Sequence, residues 1–389
     1  MPRMAPTRRT GALYFAFYAG LAALVPFMVL YFERIGLTGG QIGVLTGLMP
    51  AFILLAGPLW SAVADARDRT RGILVAAALG AAACALVVPL ANTFWPLFGL
   101  VGALAFFASP LAALIDASVL AVLGDARSRY GRLRSWGAVG WGVSAPLVGF
   151  LTQSAGVAWA FLVFGILMTI TAGVSAGMPP VRAGPREQRG IGELVRMFTN
   201  GTWAPFLLAA FAGGVAMTGT STFLYLRFAE LGASDGLVGI AISIATVSEI
   251  PVFVGTAWLV RRWKPQTLLL AALGVFVVRL VAYAALDAPL ALASIQLLHG
   301  ASFALMWAAG VHRAAELAPA GRGTTSQGVF NATVAGLGAT CGSLLGGVLY
   351  DALGASGMFL AFAALVLLAA VPSAWRTYRT ADGARLGSG

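Results

Sequence analysis

Runs of about 20 apolar residues recur from one end of the chain to the other, and no water-soluble core could take them all in. Each run is long enough to cross roughly 30 Å of hydrocarbon as a helix. Helices and closed barrels are the only forms that leave no backbone N–H or C=O unpaired in lipid. Twelve such runs can be counted, in a chain of 389 residues that is 59% hydrophobic and only 10% charged. The expectation is an all-α membrane protein with twelve transmembrane helices.

The net charge of +11 invites a nucleic-acid reading, and the placement of the charges removes it. With the amino terminus in the cytoplasm, all but three of the 25 Lys and Arg fall in the termini and the cytoplasmic connections. Arg34 and Arg227 fall outside, and Arg279 lies within a span. This is the positive-inside asymmetry of a multi-pass protein with both termini cytoplasmic, expected in a bacterial inner membrane. Cys84 and Cys341 lie far apart in apolar runs and read as small buried hydrophobes, so neither disulfide nor metal is expected. There is no Walker loop, HExxH or CxxC, and the one GxSxG match, Gly173 to Gly177, lies at the end of the sixth apolar run and not on a strand-to-helix turn, so no cofactor, ATP site or hydrolase is indicated, and an ion gradient is the available energy source.

Ionisable residues inside spans are costly, so each needs a partner or a function. In the first span, Tyr14, Phe15 and Tyr18 share a face and read as packing. In the fourth, Ser109-Pro110 predicts a bend, and Asp116 follows it about a turn and a half from the cytoplasmic end. The natural partner of Asp116 is Arg134, just inside the fifth span. Arg134 and Trp141 are seven apart and share a face. A guanidinium below a flat ring can hold an anion or hydroxyl and stack a ring; otherwise Trp141 fills a gap and Arg134 anchors an interface. Gly137, Gly140 and Ser144 let another helix approach the same span closely.

The segment from Pro179 to Trp203 breaks the hydropathy with prolines and four arginines, and Ile191 to Phe198 suggests a short surface helix. It divides the chain into an N-terminal six-helix bundle (1–178), a cytoplasmic linker (179–203) and a C-terminal six-helix bundle with a short tail (204–389). The halves repeat: with Tyr31 aligned on Arg227, Gly36 falls on Gly232, Gly43 on Gly239 and Gly140 on Gly336. Two such repeats imply a pseudo-twofold axis along the membrane normal with a site between the halves, as in transporters.

In the second half, Glu249, Arg279 and His299 lie in three successive spans. A carboxylate, a fixed cation and an imidazole can hold and pass a proton; alternatively, Glu249 and Arg279 form an inert buried pair. Gln327 and Asn331 are four apart on the eleventh span and can bind solute or bridge helices.

The run SAVADARDRTR, Ser61 to Arg71, resembles the loop signature of the major facilitator superfamily, with Ser61 where Gly is usual and Ala66 interrupting the basic run. That resemblance implies a cytoplasmic gate of Asp65, Arg67 and Arg71. The segment RLRSWGAVGW, together with Asp116, resembles the proton-symporter branch of that superfamily, the branch of lactose permease and the phenylpropionic acid transporter. It implies Asp116, Arg134 and Trp141 as the solute site. Glu249, Arg279 and His299 match the same branch, but where its sugar permease carries an acid one turn beyond the His, this chain has Ser302. Proton carriage then falls to Glu249 or Asp116, with Glu249 the expected carrier.

The expected function is proton-coupled uptake of an aromatic carboxylate, sugar or nucleoside by a monomer through alternating access. A proton-coupled exporter could use the same parts. A membrane sensor or lipid-modifying enzyme is a distant third, with only two His in the chain and no signalling domain.

Overall fold

The computed structural model describes residues 4–66, 70–124, 126, 129–178, 201–319 and 322–386. These are helical almost throughout, with no strand among the described residues. The first three spans are Met4–Arg34, Gly39–Ala66 and Thr70–Val87. The fourth is two helices, Phe94–Ala108 and Leu111–Leu123, broken where Ser109-Pro110 predicts a bend. The fifth and sixth are Tyr130–Ala155 and Trp159–Ala176. Then follow Trp203–Glu230, Asp235–Arg262 and Pro265–Ala285. The tenth span runs from Pro289–Ile295 to Leu305–Glu316 through a tight turn, Gln296–Leu298, and a wide π turn, Gly300–Ala304. The eleventh starts as Gly323–Asn331, widens over Ala332–Gly338 and enters Ala339–Leu386, which bends at Gly354 (φ 70°) into the twelfth.

Ten described helices are long and apolar enough to cross a membrane. One of them, Thr325–Trp375, holds two spans joined at the Gly354 bend. Tyr130–Ala155, rich in Gly, Ser and Trp, falls outside the ten. Counting both restores the expected twelve. The linker expected at 179–203 lies outside the described residues except for 201–203, as does the surface helix expected at 191–198.

By its contacts the chain forms two compact units, Met1–Glu187 with Tyr225–Ile244, and Gln188–Leu224 with Ala245–Gly389. In the first unit, the first span packs along the fifth and sixth. A side chain at Gly140 would come within 2.5 Å of the Phe15 carbonyl oxygen, so the two backbones meet there. Residues of the eighth span also lie along the fifth: Gly239 abuts Ala145 and Pro146, Gly236 N–H donates to Gln153 Oε1 (3.3 Å), and Arg34 pairs with Asp235.

A proline within a span leaves a carbonyl without its helical donor, because proline has no N–H, and at two of them in this unit a side chain from another span takes that carbonyl. Pro110 frees the Phe106 carbonyl, which accepts from Trp60 Nε1 (3.0 Å) on the second span and from Ser109 Oγ (2.9 Å). Pro146 frees the Gly142 carbonyl, which accepts from Ser243 Oγ at 2.6 Å. Within lipid an unpaired carbonyl costs several kcal/mol, so these side chains make the breaks tolerable.

In the second unit the ninth span packs against the tenth and against Ala339–Leu386. The wide turn of the tenth span has a visible cause. An unbroken α-helix would join Gly300 N–H to the Gln296 carbonyl. Here Gly300 N–H donates to Ser248 Oγ of the eighth span (2.9 Å), and that hydroxyl lies 3.3 Å from the Gln296 oxygen. A side chain has entered the ladder, a recognised origin of helix distortion. Gly300 permits it, because a Cβ there would collide with the Ser248 carbonyl.

Gly140→Leu should overpack the contact between the first and fifth spans and cost about 1–3 kcal/mol. The expected result is a lower melting temperature for the detergent-solubilised protein by intrinsic fluorescence. An unchanged melt would mean that the two backbones do not meet.

Candidate functional site

Two polar clusters interrupt the apolar interior, one in each unit. In the first, the break at Pro110 and the helix Leu111–Leu123 carry Asp116, and the first two turns of the fifth span carry Arg134. Arg134 Nη1 lies 3.2 Å from Asp116 Oδ1, and the Tyr14 hydroxyl donates to the same oxygen at 2.6 Å. The guanidinium also sits over the rings of Tyr14 (5.7 Å) and Tyr18 (5.3 Å), a cation–π arrangement. Tyr130 meets Tyr14 edge to face at 6.4 Å and closes the cage.

The Asp116–Arg134 pair is not sealed: the two side chains are 31% and 42% exposed. Charges open to lipid would be expensive, so the open side belongs to polar space rather than hydrocarbon. The cluster therefore offers donors, acceptors and ring faces with no net charge. Trp141 is partly exposed on the same span, beside Gly142, and has no ring or hydrogen-bond partner among the described residues.

In the second unit, Glu249 and His299 are partners: Nε2 of the imidazole lies 3.3 Å from Oε1. His299 Nδ1 is buried without a hydrogen-bond partner among the described residues. The imidazole stacks on Phe303 (5.2 Å), and Phe303, Trp307 and Phe330 continue as a row of rings at 6.0 and 5.7 Å.

Arg279 is 1% exposed and, among the described residues, bonds only to neutral acceptors. Nε and Nη2 donate to the Tyr283 hydroxyl (3.1 and 2.8 Å), Nη1 to Ser302 Oγ (2.6 Å) and Nη2 to Gln296 Oε1 (3.1 Å). The rings of Phe276 and Tyr283 lie at 5.7 and 5.5 Å. Ser302, which stands where a permease acid was expected, is thus an acceptor for this cation. The Glu249–Arg279 pair considered from sequence is absent among the described residues; the carboxylate pairs with His299 instead.

The other predicted residues are scattered. Gln327 is half-buried and Asn331 exposed, neither with a hydrogen-bond partner among the described residues. Arg71 Nη1 donates to the Met178 carbonyl at 3.4 Å, beyond the end of the sixth span. Arg67 and the side chain of Asp65 lie outside the described residues.

Sequence reasoning missed Tyr14, Tyr18 and Tyr130 in the first cluster, and Ser248, Tyr283 and Gln296 in the second. Tyr14 and Tyr18, read as packing, do pack; their hydroxyl and ring faces also serve Asp116 and Arg134. The available signal was phenols rather than phenylalanines four apart on an apolar helix.

The sequence model of the MFS_1 like family matches residues 8–361. The chain is 29% identical to a maltose permease of Geobacillus stearothermophilus, covering 87% of this chain and 86% of that protein. It is 26% identical to a "Probable 3-phenylpropionic acid transporter" of Escherichia coli (strain K12), covering 93% and 95%. The solved structure of the nucleoside transporter NupG superposes with a TM-score of 0.83 over 95% of this chain and 98% of that one, at 16% identity, a likeness of fold.

Because Arg279 is held by neutral oxygens, Glu249→Gln should leave the melting temperature within about a degree. Arg279→Lys, with three donors and no planar fork, should lose about 2 kcal/mol by leaving buried acceptors unmet. Comparable destabilisation by both substitutions, in thermal melts at one pH, would mean that Glu249 and Arg279 are paired.

Proposed function

The chain belongs to the MFS_1 like family of membrane transporters, and on that premise we propose that it is a proton symporter taking up a neutral, hydroxyl-rich solute by alternating access. It is a multi-pass transporter of small solutes and not an enzyme. The finer reading adds two six-helix bundles (1–178 and 204–389) joined by a cytoplasmic linker (179–203), both termini in the cytoplasm, and a monomer in a bacterial inner membrane, with no nucleic-acid partner.

One observation carries the solute class: Arg134 is already engaged by Asp116, and the pair is half-exposed. A carboxylate solute would have to displace Asp116 from the guanidinium, whereas a hydroxyl can donate to the carboxylate and accept from the arginine without breaking the pair. Trp141 offers a flat face for a sugar or base ring. The maltose permease among the similar proteins supports a sugar and the probable 3-phenylpropionic acid transporter an aromatic carboxylate, so the choice between them rests on the engaged Asp116–Arg134 pair. Gln327 and Asn331, whose amides are unengaged among the described residues, are further solute-binding residues.

Glu249 carries the proton, with His299 Nε2 the neighbouring atom for relay and Arg279 the fixed positive charge. Asp65, Arg67 and Arg71 form the cytoplasmic gate. The half-exposed row of His299, Phe303 and Trp307 favours a second reading, export of an apolar compound by proton antiport.

Purified protein in liposomes with an internal pH dye distinguishes these readings when tested with maltose, uridine and 3-phenylpropionate. Symport predicts acidification of the lumen with maltose or uridine, abolished by Glu249→Gln and reduced at least about 100-fold by Arg134→Ala, which strands Asp116. Alkalinisation on adding a compound identifies antiport. Movement of a solute without protons refutes the role given to Glu249.

A further inference from the structure

The break in the fourth span stands between its neighbours as if held. On one side Trp60 of the second span lies 5.0 Å from the ring of Phe106 and 6.5 Å from that of Phe107, and Phe52 lies 6.2 Å from Phe106. On the other, Phe107 fills the space over Gly80 of the third span, where a Cβ would meet the ring at 2.6 Å. Between them runs a polar tie across the break, from Trp60 Nε1 to the carbonyl that Pro110 leaves unpaired. Ser109 Oγ satisfies the same carbonyl from within its own helix and so cannot fix the break to anything else. Six residues beyond Pro110 is Asp116, whose Oδ1 takes both Tyr14 and Arg134.

We propose that Trp60 is a positioning residue for the Asp116–Arg134 pair: its indole N–H holds the proline-broken fourth span in the orientation that brings Asp116 to Arg134 and Tyr14. Indole suits the task because it is a donor with no acceptor to satisfy, on a ring large enough to be wedged by its neighbours. The helix from Leu111 begins at the break, so a change of angle there swings the carboxylate away from two partners on other spans. The role in solute binding rests on the reading of Asp116 and Arg134 as the solute site; the positioning itself does not.

The test uses the full chain in detergent micelles and N,N′-dicyclohexylcarbodiimide, which couples to carboxyls in apolar surroundings. Labelling of Asp116 is read by mass spectrometry against Glu249 of the same molecule as the internal reference. Trp60→Phe keeps the ring and removes the donor; it should raise the Asp116 to Glu249 labelling ratio about three- to tenfold, the range of one hydrogen bond. Pro110→Ala supplies the missing N–H to Phe106, so Trp60→Phe added to Pro110→Ala should raise the ratio no further. An unchanged ratio in Trp60→Phe, or an equal rise in both backgrounds, overturns the proposal. If Trp60→Phe raises the ratio as expected while Asp116→Asn transports normally, the positioning stands and the solute-site reading falls. If Asp116→Asn abolishes transport while Trp60→Phe changes neither the ratio nor the KM, the positioning falls alone.

Discussion

A helix in hydrocarbon cannot leave a carbonyl unpaired, and this chain breaks its helical ladders near the residues of both polar clusters. Three of these breaks are met by a side chain from a different span. Trp60 takes the carbonyl freed by Pro110, before Asp116. Ser243 takes the carbonyl freed by Pro146, beside Trp141. Ser248 enters the ladder between Gln296 and Gly300, around His299. A regular helix satisfies itself and can rotate or slide against its neighbours at little cost. A helix whose carbonyl depends on another span is tied to it at that residue, and the geometry of the nearby charged group is tied with it.

The two clusters solve the problem of intramembrane charge in opposite ways. Asp116 and Arg134 neutralise each other and stay partly open, so both keep bonding capacity for something that arrives. Arg279 is closed in by a phenol, a hydroxyl, an amide and two ring faces, which spread its charge over dipoles with no carboxylate in contact among the described residues. With those donors occupied, Arg279 is suited to act as a fixed field and not as a contact for solute. Glu249 is thereby left to His299, a partner whose own charge can change.

The twelve spans, the repeat and the bend at Ser109-Pro110 were legible because they depend on run length, periodicity and a missing N–H, all local properties. The Asp116–Arg134 contact was legible because few ionisable groups lie in the spans and these two are close in sequence. Tyr14 was not, because its hydroxyl finds Asp116 across 102 positions and nothing local separates that phenol from a packing ring. The neutral acceptors of Arg279 were not legible for a related reason. Its acceptors, Gln296 and Ser302, lie in or beside the irregular turns of the tenth span, where counting by 3.6 residues loses register. Those turns arise from Ser248, on another helix, and serine carries no sequence mark of such a role.

The backbone contact at Gly300 also bears on how the protein responds to its lipid. Bilayers of different thickness tilt and bend spans, and contacts made by long side chains take up that change first. Glu249 follows Ser248, and His299 precedes Gly300, so their spacing is set where two main chains meet and the short Ser248 hydroxyl ties them. The carboxylate–imidazole distance is therefore buffered against membrane thickness, and the contact of Gly140 with Phe15, next to Tyr14, does the same for the reach of that phenol to Asp116.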